Sequence, residues 1–233
     1  MAGKPLAIVS GGGGHVGGAI TNALRKAGWT AVVLSRHAAG DDAYACDVID
    51  EAQVSSAIGT ITAKYGSISA CVHASSPAVE GASLLKTDTR SFDDAIAVAV
   101  RGAYLLAKAV APHMEEGSAF IGITTKLIEP NIALPPVSAY VAAKYGLRGV
   151  LRSLASELRA HNVRVYAVAP GFIAGGLNDG VPPAVLDFLA SKSGAGTTTA
   201  EEVAALVLKL CTVRDAYPTG SSITLSPAEA SPL

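Results

Sequence analysis

Residues 6–18 read LAIVSGGGGHVGG, an apolar run that meets a cluster of glycines and then a helical pattern. Gly12, Gly14 and Gly17 satisfy the spacing GxGxxG between the first predicted strand and the first predicted helix. Small residues at such a turn let the backbone bend sharply. They also let a pyrophosphate approach the helix N-terminus, where unpaired N–H groups favour negative charge. A glycine run alone suits any tight turn, but its position directly after a strand favours a dinucleotide-binding site.

The rest of the chain alternates short apolar runs with longer helical patterns. Strands are predicted at 6–10, 30–35, 44–46, 68–73, 119–124, 163–168 and 222–225, and helices at 15–27, 51–65, 91–114, 137–161 and 201–210. This pattern predicts an α/β fold: a Rossmann-like, doubly wound parallel sheet of about seven strands with helices on both faces. We expect a single domain over 1–233, because no linker or repeat interrupts the pattern. Residues 175–199, rich in Gly, Pro, Ser and Thr, are expected to form a flap over the site, with a short helix at 183–192.

The composition limits the kinds of partner. Half of the 233 residues are hydrophobic and the net charge is −1, which disfavours nucleic-acid binding because phosphate contacts need clustered Lys and Arg. The apolar run at the N-terminus is too short to span a membrane and lacks the layout of a signal peptide. Cys46, Cys71 and Cys211 lack metal-binding spacing and are predicted to be buried free thiols. We therefore expect a cytoplasmic protein with no metal, no membrane contact and no nucleic-acid partner.

The end of the second predicted strand, Leu34-Ser35-Arg36-His37, bears on the choice of dinucleotide. An acidic residue at this place would bond the ribose 2′-hydroxyl of NAD, whereas an arginine accommodates the 2′-phosphate of NADP. No acid follows before Asp41. A guanidinium binds phosphate through paired hydrogen bonds, so Arg36 favours NADP(H) over NAD(H). The alternative is that Arg36 is a solvated surface charge.

Tyr140 and Lys144 lie four residues apart on the helix predicted at 137–161 and therefore share one face. A free tyrosine has a pKa of about 10 and is a poor base near neutral pH, but a nearby ammonium stabilises the phenolate and lowers that pKa. The spacing YxxxK occurs by chance in many helices. Here a glycine loop precedes it and a predicted strand ends at Thr124 and Thr125. We predict that the pair moves a proton while a nicotinamide cofactor exchanges hydride with a carbonyl or an alcohol.

These motifs together resemble the short-chain dehydrogenase/reductase family, in particular its short single-domain branch with the 3-oxoacyl-carrier-protein reductases. The resemblance covers nearly the whole chain. Its marks are the glycine loop at 10–17, Asp47, the Tyr140/Lys144 pair, the Pro-Gly-Phe-Ile segment at 170–173 and the Tyr-Pro-Thr-Gly turn at 217–220.

The resemblance implies roles for individual residues. Tyr140 would be the general acid in reduction and the base in oxidation, Lys144 would bind the nicotinamide ribose, and Thr125 would polarise the carbonyl. Asp47 would bond the adenine. The implied cofactor-binding residues are Gly11, Gly12, Gly14, His15, Val16, Gly17, Arg36, Asp47, Val48, Ala74, Ser75, Tyr140, Lys144, Pro170, Gly171 and Ile173.

Several positions depart from the family pattern. His15 stands where the family's loop has glycine, and it either contacts phosphate or points to solvent, the second being favoured. The segment after the fourth strand reads His73-Ala74-Ser75-Ser76. Thr125 replaces the serine that holds the substrate oxygen, and Ala99 replaces the asparagine that supports a proton-relay water. Gly175 stands where a threonine helps to hold the carboxamide.

Three functions stay open from the sequence. The first is an NADPH-dependent carbonyl reductase, favoured because Tyr140 and Lys144 are both retained. The second is a degenerate family member that binds cofactor or a partner subunit with little or no turnover, motivated by Ala99 and the altered segment at 73–76. The third is another reaction of a carbonyl substrate on the same scaffold. Apolar flap residues either contact an apolar part of the substrate or cover the core; they are Leu177, Val181, Val185, Leu186, Phe188 and Leu189.

The resemblance also implies a homo-oligomer, either a dimer or a tetramer, built on the two long helices. The apolar faces of these helices are compatible with such an interface. They comprise Ala95, Ala99, Ala103 and Leu106 on one helix and Leu147, Leu151, Leu154 and Leu158 on the other.

Overall fold

One parallel sheet organises the computed structural model, which describes residues 3–38 and 40–225. The strands are β1 (Leu6–Ser10), β2 (Thr30–Ser35), β3 (Ala43–Ala45), β4 (Ile68–His73), β5 (Met114–Ile123), β6 (Arg164–Ala169) and β7 (Ser222–Thr224). Their order across the sheet is β3-β2-β1-β4-β5-β6-β7, and each neighbouring pair is parallel. The order reverses between β1 and β4, where sheets of this kind bind ligands beyond the carboxyl ends of the strands. The predicted fold class is therefore confirmed. The predicted domain, 1–233, also includes Met1, Ala2, Ala39 and residues 226–233, which lie outside the described part.

Helices cover both faces of the sheet. They are α1 (His15–Lys26), α2 (Glu51–Tyr65), α3 (Thr89–Ile96), α4 (Gly102–Val110), α5 (Ser138–Glu157), α6 (Pro183–Ser193) and α7 (Ala200–Thr212). One hydrophobic core lies between the sheet and α2, α4 and α5, and it contains Phe120 and Leu151. A second core lies on the other face, under α1 and α7, and contains Leu24 and Val207. Both faces of the sheet are thus buried, which explains its nearly continuous apolar strands.

Most predicted elements agree with the structure, and the main error lies in the fifth strand. The strands at 6–10, 30–35 and 68–73 and the helix at 51–65 have the predicted bounds, and most other ends differ by one or two residues. The helix predicted at 137–161 ends as a 3-10 turn, Leu158–His161. The strand predicted at 119–124 in fact begins at Met114, because its polar start, Glu115 and Glu116, does not read as a strand. Met114 pairs with Ile68, and the register shifts before Ala70 pairs with Ala119.

The helix predicted at 91–114 is interrupted. A π-helical turn, Ala97–Arg101, separates α3 from α4, and a 3-10 turn, Ala111–His113, ends the helical stretch. Glycine in α5 accommodates this turn closely, since a Cβ at Gly146 would lie 2.6 Å from Cγ2 of Val100. A π turn inserts an extra residue into a helix and occurs often at functional sites.

The apolar helix faces that suggested an oligomer interface are part of the protein's own core. All eight residues named for those faces are buried: Ala95, Ala99, Ala103, Leu106, Leu147, Leu151, Leu154 and Leu158. The reason is that α3, α4 and α5 lie side by side and pack against the sheet. The apolar periodicity thus correctly indicated buried residues. These faces are covered by the protein's own core, so they do not support a subunit interface.

Among the described residues, the stretch Thr89–His113 is long and apolar enough, by length and composition, to cross a membrane. The core helix of a soluble protein passes the same test. In the structure this stretch packs against α5 and the sheet, and Ala99, Ala103 and Leu106 within it are fully buried. Its apolar character therefore follows from burial inside the fold.

The loop between β1 and α1 requires glycine because the backbone folds back on itself. Gly11 has a φ of +70°, and a Cβ at Gly17 would lie 2.1 Å from the carbonyl oxygen of Gly11. A Cβ at Gly11 would lie 2.7 Å from the backbone nitrogen of Ser75. Glycine thus brings the N-terminus of α1 against the segment that follows β4.

This close approach predicts that alanine will destabilise the protein at Gly17 but not at the neighbouring Gly18. We expect Gly17→Ala to lower the free energy of unfolding by about 1–3 kcal/mol, because the added methyl overlaps a backbone oxygen that cannot easily move. In the matched variant Gly18→Ala, the new Cβ would lie an ordinary 3.7 Å from Gly12 O. That variant should be neutral, or up to about 1 kcal/mol more stable, because alanine favours the helix. Urea denaturation measures both, and equal effects would contradict the packing described.

Candidate active site

Four loops meet at the carboxyl edge of the sheet. The N–H of Ala74, after β4, donates to Ser10 O at 3.0 Å, and the N–H of Lys126, after β5, donates to Pro170 O at 2.8 Å. These bonds tie the glycine loop to the segment at 74–75, and the end of β5 to the segment at 170–173. Most of the residues predicted for the site therefore converge on this edge.

The N-terminus of α1 is open to an anion. Gly14 occupies the N-cap without a side-chain hydrogen bond, and the first turn carries no acidic residue. Free N–H groups and the helix dipole at such an end favour negative charge. With the close backbone approach of the glycines, the residues present fit a dinucleotide pyrophosphate. Those that would hold it are Gly11, Gly12, Gly14, His15, Val16 and Gly17.

Arg36 lies beside this loop at the end of β2. A Cβ at Gly13 would lie 3.5 Å from the Ser35 hydroxyl oxygen, so the residue before Arg36 adjoins the loop. The Arg36 side chain is exposed. A guanidinium in this position is accessible to a phosphate bound near the glycine loop.

Asp47 and Val48 play different parts in the structure. The Asp47 carboxylate accepts a hydrogen bond from the N–H of Ile49 at 3.3 Å and remains partly exposed. The Val48 side chain is buried against the start of α4, where a Cβ at Gly102 would lie 2.9 Å from Val48 Cγ2. Val48 can therefore offer a ligand its backbone, while Asp47 can offer its side chain.

Thr125, Tyr140 and Lys144 form one cluster between β5 and α5. The hydroxyl of Thr125 is hydrogen-bonded to the oxygen of Tyr140. One helical turn further on, Lys144 is 2% exposed; its Nζ lies 5.4 Å from the centroid of the Tyr140 ring and donates to Ile123 O at 2.8 Å. The three predicted catalytic groups are thus adjacent, with Tyr140 between the threonine hydroxyl and the ammonium.

The protonation of this cluster differs from the expectation. Burial raises the pKa of Tyr140 to about 12, and the hydrogen bond from Thr125 only partly opposes it. Burial also lowers the pKa of Lys144 to about 8. The prediction of a lowered tyrosine pKa was therefore wrong for this arrangement, because desolvation of the phenolate outweighs the hydrogen bond from Thr125.

Beside the cluster lies a buried histidine to which the sequence had given no role. His73, the last residue of β4, is 0% exposed, and its Nδ1 lies 2.9 Å from Ser10 Oγ. Burial lowers the His73 pKa to about 3, and the charge of Lys144 adds to this effect. The available signal was positional: Ser10 and His73 end adjacent strands and pair in register.

Ala99 and Gly175, two of the departures from the family pattern, have clear structural settings. Ala99 is fully buried in the π turn and offers only its backbone. Gly175 adjoins the exposed ring of His15, since a Cβ there would lie 3.3 Å from His15 Nε2. Close by, Asn178 donates from its side-chain amide to Ile173 O at 2.7 Å. His15 thus links the glycine loop to the flap.

The flap at 175–199 is attached to the site at its base. Phe172 and Thr197 form a parallel bridge, and Gly171 N–H donates to Thr198 Oγ1 at 3.0 Å. The flap contains α6, as predicted from the sequence. Of its apolar residues, Leu186 is buried, whereas Phe188 is 61% exposed. Leu177 and Val185 are also exposed, so the flap both covers the core and presents an apolar surface.

Other chemistry finds less support in the described residues. Within 3–38 and 40–225, no three His, Cys, Asp or Glu side chains converge on a possible metal site. Cys46, Cys71 and Cys211 are buried free thiols, as predicted. Burial raises the pKa of Cys46 to about 11, which disfavours the reactive thiolate.

Comparisons with known proteins agree with this geometry. A family model described as Enoyl-(Acyl carrier protein) reductase matches residues 16–226. The 3-oxoacyl-[acyl-carrier-protein] reductase of Thermotoga maritima is 28% identical over 186 residues, which cover 78% of this chain and 74% of the relative.

Two solved structures share the fold, each with a TM-score of 0.84. A blue fluorescent protein from a metagenomic library, in complex with NADPH, is 22% identical, and the match covers 98% of this chain and 99% of that one. The 3-ketoacyl-(acyl-carrier-protein) reductase of Brucella melitensis, complexed with NADH, is 21% identical, with coverage of 96% and 97%.

The buried Lys144 predicts a pH-dependent stability. Its pKa in the fold, about 8, lies below the ordinary 10.5, so the unfolded chain binds more protons between these values and stability rises with pH there. Relative to Lys144→Met, the wild type should gain up to about 3 kcal/mol between pH 8 and 10.5. Urea denaturation across this range measures the difference.

An exposed lysine supplies a control of opposite sign. Lys108 donates to Glu51 at 2.8 Å, and this hydrogen bond raises its pKa. Relative to Lys108→Met, the wild type should therefore lose stability as the pH rises through that pKa. A Lys144→Met difference that is flat from pH 8 to 10.5 would contradict the burial of a charged ammonium.

Proposed function

The chain belongs to the short-chain dehydrogenase/reductase family and is an NAD(P)-dependent enzyme of that family; we propose that it transfers hydride between NADP(H) and a carbonyl compound or secondary alcohol, with Tyr140 as general acid or base. The observation that carries the proposal is the cluster of Thr125, Tyr140 and Lys144 at the edge of the sheet where dinucleotides bind. The three groups match the needs of the reaction: a proton donor, a second hydroxyl and a nearby positive charge.

Each residue of the cluster has a distinct task. In reduction, Tyr140 gives its phenolic proton to the substrate oxygen, which becomes a hydroxyl. Thr125, bonded to the Tyr140 oxygen, also offers a hydroxyl donor to the substrate oxygen as negative charge develops on it. Lys144 supplies a positive charge 5.4 Å from the Tyr140 ring, which stabilises the phenolate left behind. In oxidation Tyr140 takes the proton back.

The residues that would surround the dinucleotide complete the site. The glycine loop and the open N-terminus of α1 would hold the pyrophosphate, Asp47 the adenine, and Lys144 the nicotinamide ribose. Ala74, Ser75, Pro170, Gly171 and Ile173 would border the dinucleotide. When bound, the nicotinamide cofactor supplies or accepts the hydride, while the protein provides orientation and electrostatics.

NADP(H) is proposed over NAD(H) on the basis of Arg36. Its side chain is exposed beside the glycine loop and has the geometry to bind a 2′-phosphate bidentately. An acid at this position would have favoured a 2′-hydroxyl instead. The two structures described above were determined with NADPH and with NADH, so the proposal rests on Arg36 itself.

The flap supports a substrate with an apolar portion. Leu177, Val185 and Phe188 are large apolar side chains that the fold leaves exposed. Contiguous exposed apolar patches commonly mark binding sites, and all three residues lie on the flap, within residues 177–188. A 3-oxoacyl chain, the substrate type named for the Thermotoga maritima relative, has such a portion.

A second candidate, the degenerate member with little or no turnover, is favoured by two observations. Ala99 provides no polar side chain in the π turn, and the pKa of Tyr140 is raised and not lowered. A protein that only binds would have no chemical need for the retained Thr125–Tyr140–Lys144 cluster. That retention favours turnover.

A cytoplasmic homo-oligomer, either a dimer or a tetramer, is also proposed. Buried free thiols are consistent with a reducing compartment. For the oligomer, the support shifts from the buried helix faces to the outer surface of α4, where Tyr104 is 51% exposed. Tyrosine is enriched at subunit interfaces because it combines an apolar ring with a polar end.

The role of Tyr140 predicts a selective loss of turnover. With NADPH and a panel of ketones and acyl thioesters, we expect Tyr140→Phe to lower kcat by about 10²–10⁴-fold. The dissociation constant for NADPH should stay within about twofold, because the phenol acts in proton transfer. Tyr145→Phe is the matched control, since Tyr145 lies on the same helix but is exposed. A wild type that binds NADPH without turnover, equally in Tyr140→Phe, would support the degenerate alternative.

The role of Arg36 predicts a change in cofactor preference. We expect Arg36→Ala to weaken NADPH binding by about tenfold or more, the value of one charge-assisted hydrogen bond, and to leave NADH binding unchanged. Arg159→Ala, another exposed arginine, is the control. Fluorescence titration with both dinucleotides measures the effect, and equal losses for the two would refute a contact with the 2′-phosphate.

A further inference from the structure

Three polar residues on one face of α5 contact the chain at the end of β5 and just beyond it. Tyr140, Lys144 and Arg148 follow one another at intervals of four along the helix. Lys144 donates to Ile123 O at 2.8 Å, and Tyr140 is hydrogen-bonded to Thr125. The proposed chemistry uses the first two of these helix residues but gives no task to Arg148.

Arg148 forms a partly buried ion pair with Glu129. Its Nη1 lies 3.3 Å from both carboxylate oxygens of Glu129, and the two side chains are 32% and 14% exposed. The hydroxyl of Ser222, the first residue of β7, donates to Oε1 of the same carboxylate at 2.8 Å. Such a pair is screened less by salt than an exposed one, and the hydroxyl adds a hydrogen bond to a charged acceptor. Glu129 therefore connects the segment after β5 to both α5 and β7.

The turn that follows β5 is held against α5 at both of its ends. A 3-10 turn, Lys126–Ile128, separates Thr125 from Glu129. Thr125 contacts Tyr140 at the start of the turn. Glu129 contacts Arg148 at its end, about 12 Å further along the helix at 1.5 Å per residue. The turn therefore cannot shift along α5 without the loss of one of these contacts.

This turn also controls the hydroxyl of Thr125. Strand β5 fixes the backbone of Thr125, but the position of the hydroxyl depends on the side-chain torsion as well. The N–H of Leu127, within the turn, donates to Thr125 Oγ1 at 3.3 Å. Since this distance is at the long end of the range for such bonds, the contact depends on the turn staying in place. Because the Leu127 N–H occupies a lone pair, the hydroxyl proton is free to point at Tyr140 or at a substrate oxygen.

We propose that Glu129 is a positioning residue for the reaction: it holds the turn after β5 so that Leu127 orients the Thr125 hydroxyl toward the substrate oxygen. The proposal rests on the proposed function. The Glu129 carboxylate is occupied by Arg148 and Ser222, so it acts on Thr125 through the turn. No proton passes through Glu129. Its effect is to keep a hydrogen-bond donor aligned with the place where negative charge develops.

The test uses variants of the whole chain with NADPH and a ketone that the wild type reduces. Glu129→Leu removes every hydrogen bond of the carboxylate. We expect kcat to fall about tenfold, a part of the roughly 10²–10³-fold value of one aligned oxyanion donor, with KM within about twofold. In Glu129→Gln the amide oxygen still accepts from Arg148 and Ser222, so kcat should recover to within about threefold of the wild type.

A second background, Thr125→Ala, decides whether Glu129 acts through the hydroxyl. There Glu129→Leu should leave kcat unchanged, because no hydroxyl is left to orient. A further loss of about tenfold in the double variant would overturn the proposal, because it would show an effect independent of Thr125. A folded Glu129→Leu variant with wild-type kcat would overturn it as well.

Glu116→Leu is the matched control for Glu129→Leu. Glu116 lies near the opposite end of β5, where its carboxylate accepts a hydrogen bond from the side-chain amide of Asn162 at 3.2 Å. The variant therefore also replaces a hydrogen-bonded glutamate by leucine. We expect its kcat and KM to equal those of the wild type.

Another measurement needs no turnover. In the cofactor-free protein, amide hydrogen exchange of Leu127, followed by NMR, reports the bond to Thr125 Oγ1. We expect exchange to be about threefold faster or more in Glu129→Leu and in Thr125→Ala, and unchanged in Glu116→Leu. Unchanged exchange of Leu127 in Glu129→Leu would overturn the proposal. An absence of turnover in the wild type would instead overturn the proposed function, and it would not affect the exchange result.

Discussion

The hydrogen bond from the buried ammonium of Lys144 to the carbonyl oxygen of Ile123 is the constraint on which the site depends. A charge inside a protein must keep its acceptor, so this bond fixes how α5 sits against the end of β5. Tyr140, one turn earlier on the same helix face, is thereby held next to Thr125. The same charge helps to keep His73 neutral. One buried lysine therefore holds Tyr140 in place and favours the neutral form of His73.

The sequence was sufficient for the architecture because the relevant signals are local. Strands at 30–35 and 68–73 and the helix at 51–65 are apolar patterns bounded by turn residues, and their predicted bounds agree with the structure. The glycine motif is a local signal as well, because any side chain at Gly17 would clash with the backbone of the same loop. Thr125 was placed near the site because it follows a predicted strand, and parallel strands end at one edge of the sheet; Tyr140 was predicted from its spacing to Lys144.

Other features depend on contacts that the sequence does not show. The π turn, Ala97–Arg101, has the residue composition of an ordinary α-helix, so the sequence does not reveal it. The polar start of β5 at Glu115 has the composition of a loop. The pKa of Tyr140 is raised because burial outweighs the hydrogen bond from Thr125, a balance that spacing alone cannot give. His73 gains its setting only when β1 and β4 pair and bring Ser10 beside it.

The bridge between Phe172 and Thr197 gives the flap a further property. The bridge joins the two ends of the intervening segment, so residues 173–196 form a loop whose ends are already held together. The entropic cost of closing such a loop rises by only about 0.6 kcal/mol for each doubling of its length. Insertions, deletions or a transplanted segment from a relative can therefore change this loop while the sheet and the Thr125–Tyr140–Lys144 cluster stay in place. Evolution can therefore exchange the flap while the rest of the fold is kept.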